Sequence, residues 1–289
     1  MNFAYYSGCR ERILTRDYAQ LSDFLTQNGY SAIELLENAF VNEPLFSSIA
    51  EARDFRAYME RCGISIACFS VYIDIYTDTQ NSLDYLKHQI DIASALGAPY
   101  FHHTIKVPIV SGDNDPTYDE LIELVLPVIR EVVAYAYKHD IIAIYEPQGI
   151  YYNGRGFIRF IERLRSIPGG EHVGVCFDCG NSAFVDCHPY ELLKEILPYV
   201  KHVHLKDYKY LGKDDKSGVY RSLCGRKMTE VPLGEGDMRV LDSVNMLEEF
   251  GYDGYYSTEI NPCAGDIGCD AGGIMAIKLI EKIEPQDKH

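Results

Sequence analysis

The sequence lacks tryptophan, a long apolar run and any excess of basic residues. Its longest apolar runs fall well short of the roughly 18 residues that a membrane span needs. Lys and Arg total 27 against 43 Asp and Glu, which gives a formal net charge of −16. Because an acidic surface repels phosphate backbones and anionic head groups, we expect neither nucleic acid nor a membrane as partner.

The chain also lacks the features of a secreted, disulfide-bonded protein. Its start, MNFAYYSGCR, has no basic segment followed by an apolar one, so we expect no signal peptide. The nine cysteines are an odd number and are scattered, which favours free thiols and a cytoplasmic location. Cys176 and Cys179 form a C-x-x-C pair, but they straddle Asp178 at a strand end and are expected to point different ways. A redox or zinc role for this pair is therefore disfavoured.

Alternating strand-like and helical segments indicate the fold class. Neither a linker nor a low-complexity stretch interrupts the chain, so we expect one domain over residues 1–289. The clearest helical pattern covers 117–140, where Pro127 is expected to kink or break the helix. Eight strand-like runs in such an alternation predict a closed (β/α)8 barrel, the TIM-barrel fold. The predicted strands are 2–7, 31–36, 65–71, 99–105, 141–147, 172–178, 200–206 and 254–260.

Two further features bear on this assignment. An open doubly wound sheet would need a glycine-rich turn after the first strand, and YYSGCRER resembles such a turn poorly. The widest interval between strands, 207–237, is predicted as a long loop after strand seven. Long loops in compact domains are commonly functional or mobile.

Four consecutive predicted strands end in a residue that can bind a metal ion. Glu146 ends strand five, Asp178 ends strand six and Glu259 ends strand eight, while strand seven carries His204. Each alone is more simply a helix cap, a surface charge or a core histidine, but the C-terminal strand ends of a barrel share one rim. Three crowded carboxylates raise one another's pKa values, and a divalent cation removes that penalty. The oxygen-rich set favours Mn²⁺ or Mg²⁺, with Co²⁺ and Zn²⁺ left open.

The segments AIYEP, CFDCGN, HVHLKD, PLGEGD and YDGYYSTEINP resemble the xylose isomerase-like barrels, the sugar phosphate isomerase/epimerase family. That family includes tagatose 3-epimerase, hydroxypyruvate isomerase and the inosose isomerases and dehydratases. The resemblance covers the whole chain but is carried mainly by its second half. It implies a metal-dependent isomerase or epimerase of a small-molecule keto sugar or related polyol ketone. It also implies that the metal ligands are Glu146, Asp178, His204 and Glu259.

The chemistry that this resemblance implies is proton removal next to a metal-bound carbonyl. A metal that binds a carbonyl and its neighbouring hydroxyl polarises the α C–H bond and stabilises an enediolate oxygen. In the epimerases, the glutamates on strands five and eight flank the substrate on opposite faces. Glu146 and Glu259 are therefore the catalytic candidates, one to remove the proton and the other to return one.

Six further residues are candidate substrate-binding groups. Lys206 would lie on the same side of its strand as His204 and could neutralise an oxyanion, unless it pairs with Asp207. Asn181 stands where the tagatose epimerase pattern has a histidine, and an amide can bond a hydroxyl but cannot shuttle a proton. Only one of the two histidines that end strand four can face inward. The candidates are Lys206, Asn181, Tyr6, His102, His103 and, for a phosphate or carboxylate, Arg226.

Departures from the family pattern keep other functions open. The epimerases carry a second glutamate six residues after the strand-five ligand, where this chain has Tyr152, which argues against a plain 3-epimerase. A metal-dependent lyase, by inosose-type dehydration or keto-glycoside elimination, is the alternative. Endonuclease IV shares the barrel but needs a histidine where Asn181 stands, and the acidic charge also opposes a nuclease. A non-catalytic sugar-binding module remains open, and a homo-oligomer paired through surface helices is permitted.

Overall fold

Eight parallel strands close into a barrel within the residues that the computed structural model describes, which are 1–7, 16–37, 44–73, 75, 79–105, 118–147, 154–212, 215, 220–260 and 268–283. The barrel strands are β1 (Asn2–Tyr6), β2 (Ala32–Glu37), β3 (Ser65–Val71), β4 (Tyr100–His103), β5 (Ile142–Tyr145), β6 (Val173–Asp178), β7 (Val200–His204) and β11 (Tyr255–Thr258). They neighbour one another in chain order, and β1 pairs with both β2 and β11, which closes the barrel.

Helices alternate with these strands and pack on the outside of the barrel. Within the described residues they are α1 (Tyr18–Gln27), α2 (Ile49–Arg61), α3 (Thr79–Leu96), α4 (Tyr118–Lys138), α5 (Gly154–Arg165), α6 (Pro189–Ile196), α7 (Val240–Phe250) and α8 (Cys269–Ile280). Their apolar faces, which include Phe55, Ile129 and Phe160, are buried against the outer side chains of the strands. None of the helices in the described ranges has the length and apolar character that crossing a membrane requires.

The predicted strands and the (β/α)8 fold are confirmed. Each barrel strand starts and ends within two residues of the predicted bounds. The possibility of a break at Pro127 is wrong, because α4 runs as one helix from Tyr118 to Lys138. Leu126 and Val128 beside the proline are buried. We infer that this packing offsets the hydrogen bond that Pro127 cannot donate.

The stretch 207–237, predicted as a loop, contains a small sheet. Strands β8 (Asp207–Tyr210), β9 (Tyr220–Arg221) and β10 (Lys227–Val231) pair antiparallel in the order β8–β10–β9. The prediction missed them because they are short and mix charged with apolar residues. Backbone hydrogen bonds between the paired strands, rather than apolar side chains, stabilise this sheet.

The carboxylate of Asp207 ties the end of this stretch to the barrel rim. It accepts hydrogen bonds from the backbone N–H groups of Gly234 and Gly236, each at 3.0 Å, and of Met238 at 3.3 Å. The segment PLGEGD (232–237) is thereby held against the residue that follows Lys206. Asp207 is occupied by the backbone, so the alternative of a Lys206–Asp207 pair is not what the structure has.

Strand register determines which side chains share the barrel interior. Successive residues of a strand point to opposite faces, so residues opposite one another on paired strands face the same way. The interior consequently receives polar as well as apolar side chains near the C-terminal ends of the strands. The paired positions that matter for the site are Tyr6 with Glu34, Ser70 with His102, and Asp178 with His204.

Candidate metal and active site

Four of the predicted residues converge at the C-terminal rim of the barrel. Asp178 and His204 are the last residues of β6 and β7, and Glu146 and Glu259 directly follow β5 and β11. One ligand atom from each of the four lies within 4.8 Å of the others. His204 Nδ1 is 2.9 Å from Glu259 Oε2, 3.7 Å from Glu146 Oε2 and 3.9 Å from Asp178 Oδ2.

The donor set fits a divalent cation. Asp178 Oδ2, His204 Nδ1 and Glu259 Oε2 are buried atoms without a well-directed hydrogen bond within the described part of the chain. Buried polar atoms normally have partners, and a divalent cation among these three atoms would be a partner to each of them. Ligand bonds of about 2.0–2.3 Å around one ion would span separations of this size. Three carboxylates and one imidazole are ligands that Mn²⁺, Mg²⁺, Co²⁺ and Zn²⁺ accept.

The carboxylates do not all shift in the predicted direction. Burial raises the pKa of Asp178, with Glu146 and Glu259 adding to the effect and Lys206 opposing it. Burial also raises the pKa of Glu146 and of Glu259, but His204 and Lys206 outweigh it and lower both pKa values. The expected upward shift therefore holds for Asp178 alone, where burial outweighs the opposing effect of Lys206.

Lys206 is part of the cluster. Its side chain is 4% exposed, and its Nζ lies 3.0 Å from Asp178 Oδ2 and 2.8 Å from Glu259 Oε1. Burial lowers the pKa of this ammonium, but Asp178 and Glu259 raise it well above its usual value. Lys206 is thus a buried cation paired with two of the three carboxylates of the cluster.

Asn181 links three members of the cluster. Its backbone N–H donates to Asp178 Oδ1 at 2.6 Å, its side-chain N–H donates to Glu146 Oε1, and its carbonyl oxygen accepts from Lys206 Nζ at 3.4 Å. Gly180 before it approaches the same elements closely, since a Cβ there would lie 2.5 Å from Tyr208 Cε2 and 2.8 Å from Lys206 Cγ. Gly180 has φ −126°. It therefore serves this close approach rather than a left-handed turn.

His102, and not His103, faces the cluster. His102 Nε2 lies 3.3 Å from Glu146 Oε2, and burial lowers the pKa of His102. His103 points to the other side of β4, where its Nε2 lies 3.0 Å from Tyr145 Oη and its Nδ1 lies 3.1 Å from the carbonyl oxygen of Thr104. Burial lowers the pKa of His103 to about 3. His103 therefore packs as a neutral core side chain.

The remaining candidates lie at different distances from the cluster. The ring of half-buried Tyr6 stands edge-on to that of His204, with centroids 5.4 Å apart. Burial, and next the charge of Glu259, raise the pKa of Tyr6. Exposed Arg226 lies over the ring of Tyr210, 3.3 Å from its centroid, at the turn between β9 and β10. Its role with a phosphate or carboxylate stays a prediction, and Tyr152 lies outside the described residues.

The two cysteines of the C-x-x-C pair point different ways, as predicted. Cys176 packs with Cys68 and Ile144 in a small cluster, whereas Cys179 belongs to the main core. Both thiols are free and buried. Burial raises the pKa of each thiol, which keeps both neutral.

Sequence reasoning missed a buried glutamate beneath the cluster. Glu34 lies in the middle of β2 with no exposed surface and contacts His202, His204 and Ser70. Burial raises its pKa, but His204 and His202 lower it well below the usual value. The signal was present in SAIELL, because a strand of a closed parallel barrel is buried on both faces and a mid-strand carboxylate there needs partners.

Comparison with known proteins gives the same fold. A family model described as "Xylose isomerase-like TIM barrel" matches residues 23–270. The structure of the IOLI protein with a bound zinc atom is similar with a TM-score of 0.71, at 15% identity over 96% of each chain. The structure of D-psicose 3-epimerase with D-tagatose, from Clostridium cellulolyticum H10, gives a TM-score of 0.70 at 12% identity, covering 97% of this chain and 98% of that one. At such identities the similarity of these structures concerns the fold alone.

One sequence match adds a different activity. The inosose dehydratase of Bacillus thuringiensis (strain Al Hakam) is 30% identical over 103 residues. The match spans 34% of this chain and 34% of that protein, so it covers about a third of the length of either. The resemblance expected from the sequence is thereby confirmed at the level of the family, with isomerases, epimerases and dehydratases among the similar proteins.

Proposed function

The chain belongs to the xylose isomerase-like TIM-barrel family, and from this premise we propose that it is a divalent-metal-dependent isomerase or epimerase of a keto sugar or related polyol ketone. The observation that supports the proposal most is the convergence of four ligand atoms within 4.8 Å, from Glu146, Asp178, His204 and Glu259. Three of these ligand atoms, Asp178 Oδ2, His204 Nδ1 and Glu259 Oε2, are buried atoms to which a bound cation would give a partner.

The four residues would hold the ion at the barrel rim. When bound there, a divalent ion polarises a carbonyl group and makes the neighbouring C–H bond more acidic. The three carboxylates make Mn²⁺ or Mg²⁺ the preferred ion, and the imidazole keeps Co²⁺ and Zn²⁺ compatible. Zinc is the ion in the similar IOLI structure.

Glu259 is the best placed residue to remove the proton. Its side chain is 16% exposed, whereas that of Glu146 is 3% exposed, so a substrate reaches Glu259 more easily. Nearby cations lower its pKa, which makes it a carboxylate that can accept a proton. In the step we propose, the α C–H bond breaks, its electron pair enters the enediolate of the substrate, and the proton moves to Glu259.

Glu146 then completes the reaction. It directly follows β5, which β6 and β7 separate from β11 around the barrel, so it would act on the substrate from a different side than Glu259. An epimer forms when Glu146 passes a proton taken from solvent to the opposite face of the same carbon and Glu259 releases its own proton to solvent. An isomer forms when Glu259 returns the proton it removed to the adjacent carbon. Lys206, beside Glu259, would stabilise the negative charge that the enediolate oxygen carries during the reaction.

Metal analysis and proton exchange test this function. Purified protein should contain close to one divalent ion per chain. Keto sugars in heavy water with Mn²⁺ should take up deuterium next to the carbonyl, and Glu259→Gln should slow this exchange by at least about 100-fold. Glu37→Gln is the matched control, since Glu37 is a buried glutamate of β2 whose Oε2 accepts from the N–H of Leu45. Wild-type-like exchange in Glu259→Gln, or turnover that survives chelation, would contradict the proposal.

A lyase acting at the same site is the second candidate. The partial match to an inosose dehydratase supports it, and so does the buried ammonium of Lys206, which can assist departure of a β-hydroxyl as water. The first step is the same proton removal, and the enediolate electrons then expel the leaving group. Product masses decide between the two, because an isomer or epimer keeps the mass of the substrate and a dehydration product has lost one water.

A further inference from the structure

A polar cleft lies on the outer side of the barrel, between α2, α3 and the end of α4. It encloses a cavity of about 430 Å³, a volume typical of small-molecule sites. The polar residues that line it are Arg53, Arg56, Asp91, Ser94 and His139. Each belongs to a helix or directly follows one, so the cleft shares no residue with the metal cluster at the strand ends.

Two arginines form the basic side of this cleft. Arg53 and Arg56 are three residues apart on α2, so they are neighbours on one face of the helix. Each guanidinium carries a permanent positive charge and five N–H donors. Arg56 uses Nε to donate to Glu60 Oε1 at 2.7 Å, which leaves its terminal nitrogens for a ligand. In a chain with a formal net charge of −16, this pair is a local site for an anion.

The guanidinium of Arg56 is held against the residue that ends α3. A Cβ on Gly97 would lie 2.6 Å from Arg56 Cζ and 2.8 Å from its Nε and Nη1, so any other residue at 97 would displace the guanidinium. Gly97 has φ +69°, which favours glycine for a separate reason. The contact with Gly97 and the hydrogen bond to Glu60 order Arg56 before a ligand arrives, which lowers the entropy cost of binding.

The α3 side of the cleft offers groups that bind hydroxyls. Tyr135 Oη donates to Asp91 Oδ1 at 2.9 Å, and His139 Nε2 lies 3.6 Å from the same oxygen. Both contacts use Oδ1, so Asp91 Oδ2 can accept a hydrogen bond from a ligand. Ser94, one turn further along α3, adds a hydroxyl that both donates and accepts. Asp91 would repel a second anionic group, so the cleft suits a ligand that is charged at one end only.

We propose that this cleft binds a phosphate monoester of a polyol. The phosphate oxygens accept hydrogen bonds from Arg53 and Arg56, whose adjacent guanidinium groups can share one phosphate. The hydroxyl groups of the polyol reach Asp91 and Ser94. The site is additional to the metal cluster, and neither a bound metal ion nor turnover at the barrel rim is needed for it to be occupied.

Amide chemical shifts of ¹⁵N-labelled protein, free of paramagnetic ions, test where such a ligand binds. Sorbitol 6-phosphate is the probe, because it is a polyol phosphate without a carbonyl group and is therefore no substrate of the proposed reaction. The amide signals that should shift on titration are those of Arg53, Arg56, Asp91 and Ser94. Sorbitol and inorganic phosphate should each bind at least about 10-fold more weakly, since each lacks one of the two recognised parts.

A charge-removing variant tests the basic side of the cleft. Arg53→Gln should weaken the binding of sorbitol 6-phosphate by at least about 10-fold, because the charge-assisted hydrogen bonds of one guanidinium are lost. Arg61→Gln is the matched control and should bind like wild type. Arg61 lies on the same helix and is exposed, as Arg53 is, but its guanidinium lies over the ring of Tyr58, 5.5 Å from the ring centroid, and does not line the cleft.

Several results would overturn the proposal. One is a titration to millimolar concentrations that leaves the four cleft amides unshifted, or that shifts only rim amides such as those of Gly180 and Asn181. Unchanged affinity in Arg53→Gln, or an equal loss in Arg61→Gln, would show that the cleft arginines do not hold the phosphate. Binding of inorganic phosphate as tight as that of the probe would remove the polyol from the assignment. None of these measurements requires turnover, so they stand whether or not the proposed function holds.

Discussion

The ammonium of Lys206 lies 2.8 Å from Oε1 of Glu259, while Oε2 of the same glutamate lies 2.9 Å from His204 Nδ1. The two oxygens of Glu259 are therefore divided between an internal cation and the ligand cluster. A divalent ion and Lys206 would share the negative charge of the rim. Charge compensation at this site thus has a permanent part, supplied by the lysine, and a part that depends on the bound ion.

Replacement of Lys206 by methionine should separate these two parts. In the metal-free protein, Lys206→Met should lower the free energy of unfolding by about 3 kcal/mol, because Asp178 and Glu259 lose a buried partner. Chemical denaturation measures this loss, and added Mn²⁺ should recover much of it. Affinity for Mn²⁺ should rise in the variant because the site becomes more negative, while turnover should fall.

The control for that variant is Lys194→Met. Lys194 pairs with Glu191 on α6, and the side chains are 46% and 58% exposed. Loss of this surface pair should leave stability and metal binding unchanged. If Lys206→Met bound Mn²⁺ more weakly than wild type, the lysine would have to contribute to the ion site by something other than its charge.

Gly180→Ala should disturb the same cluster through packing. A Cβ at this position would meet the ring of Tyr208 and the stem of Lys206 at 2.5 and 2.8 Å, so one of them has to move. We expect a loss of about 1–3 kcal/mol in unfolding free energy and reduced turnover. Gly212→Ala is the matched control, since a Cβ there meets no atom of the described residues within 4 Å. Equal stability of the two variants would mean that Tyr208 and Lys206 can move away from an added Cβ without a loss of unfolding free energy.

The pattern of strand ends was enough to predict the barrel and the four clustered residues, because both follow from period and position along the chain. Glu34 was missed because the mid-strand carboxylate of SAIELL signals a need for buried partners but does not identify them as His202 and His204 of β7. The ion pairs of Lys206 could not be predicted from its neighbours in sequence, because its partners lie on β6 and directly after β11. The strands of 207–231 owe their existence to pairing, which composition does not show.

Stability should fall at mildly acidic pH through His103. The pKa of this ring is about 3 in the fold, because burial opposes protonation, against about 6.5 in an unfolded chain. Between these values the unfolded chain binds a proton that the folded protein does not. Stability is therefore lost as the pH falls below 6.5, by about 1.4 kcal/mol per pH unit from this group.

The measurement compares unfolding free energies at pH 7 and pH 5. The fall for wild type should exceed that for His103→Gln by about 2 kcal/mol, although the variant is less stable at both pH values. His88→Gln, at an exposed position of α3, is the control and should follow wild type. An equal fall in wild type and His103→Gln would show that the ring takes up its proton in the folded state at ordinary pH.

Asp207→Asn should loosen the segment 232–237. The two carboxylate oxygens of Asp207 accept from the N–H groups of Gly234, Gly236 and Met238, whereas an asparagine has only one acceptor oxygen. The loss of buried hydrogen bonds should lower the free energy of unfolding by about 1–3 kcal/mol. Hydrogen exchange at these three amides should accelerate by 10-fold or more. Turnover should fall as well, since Asp207 directly follows Lys206.

Asp237→Asn is the control for this variant. Asp237 Oδ2 accepts a hydrogen bond from the N–H of Tyr210, so only the exchange of that amide should respond. Unchanged exchange at Gly234, Gly236 and Met238 would mean that strand pairing, rather than the Asp207 carboxylate, holds this segment at the rim.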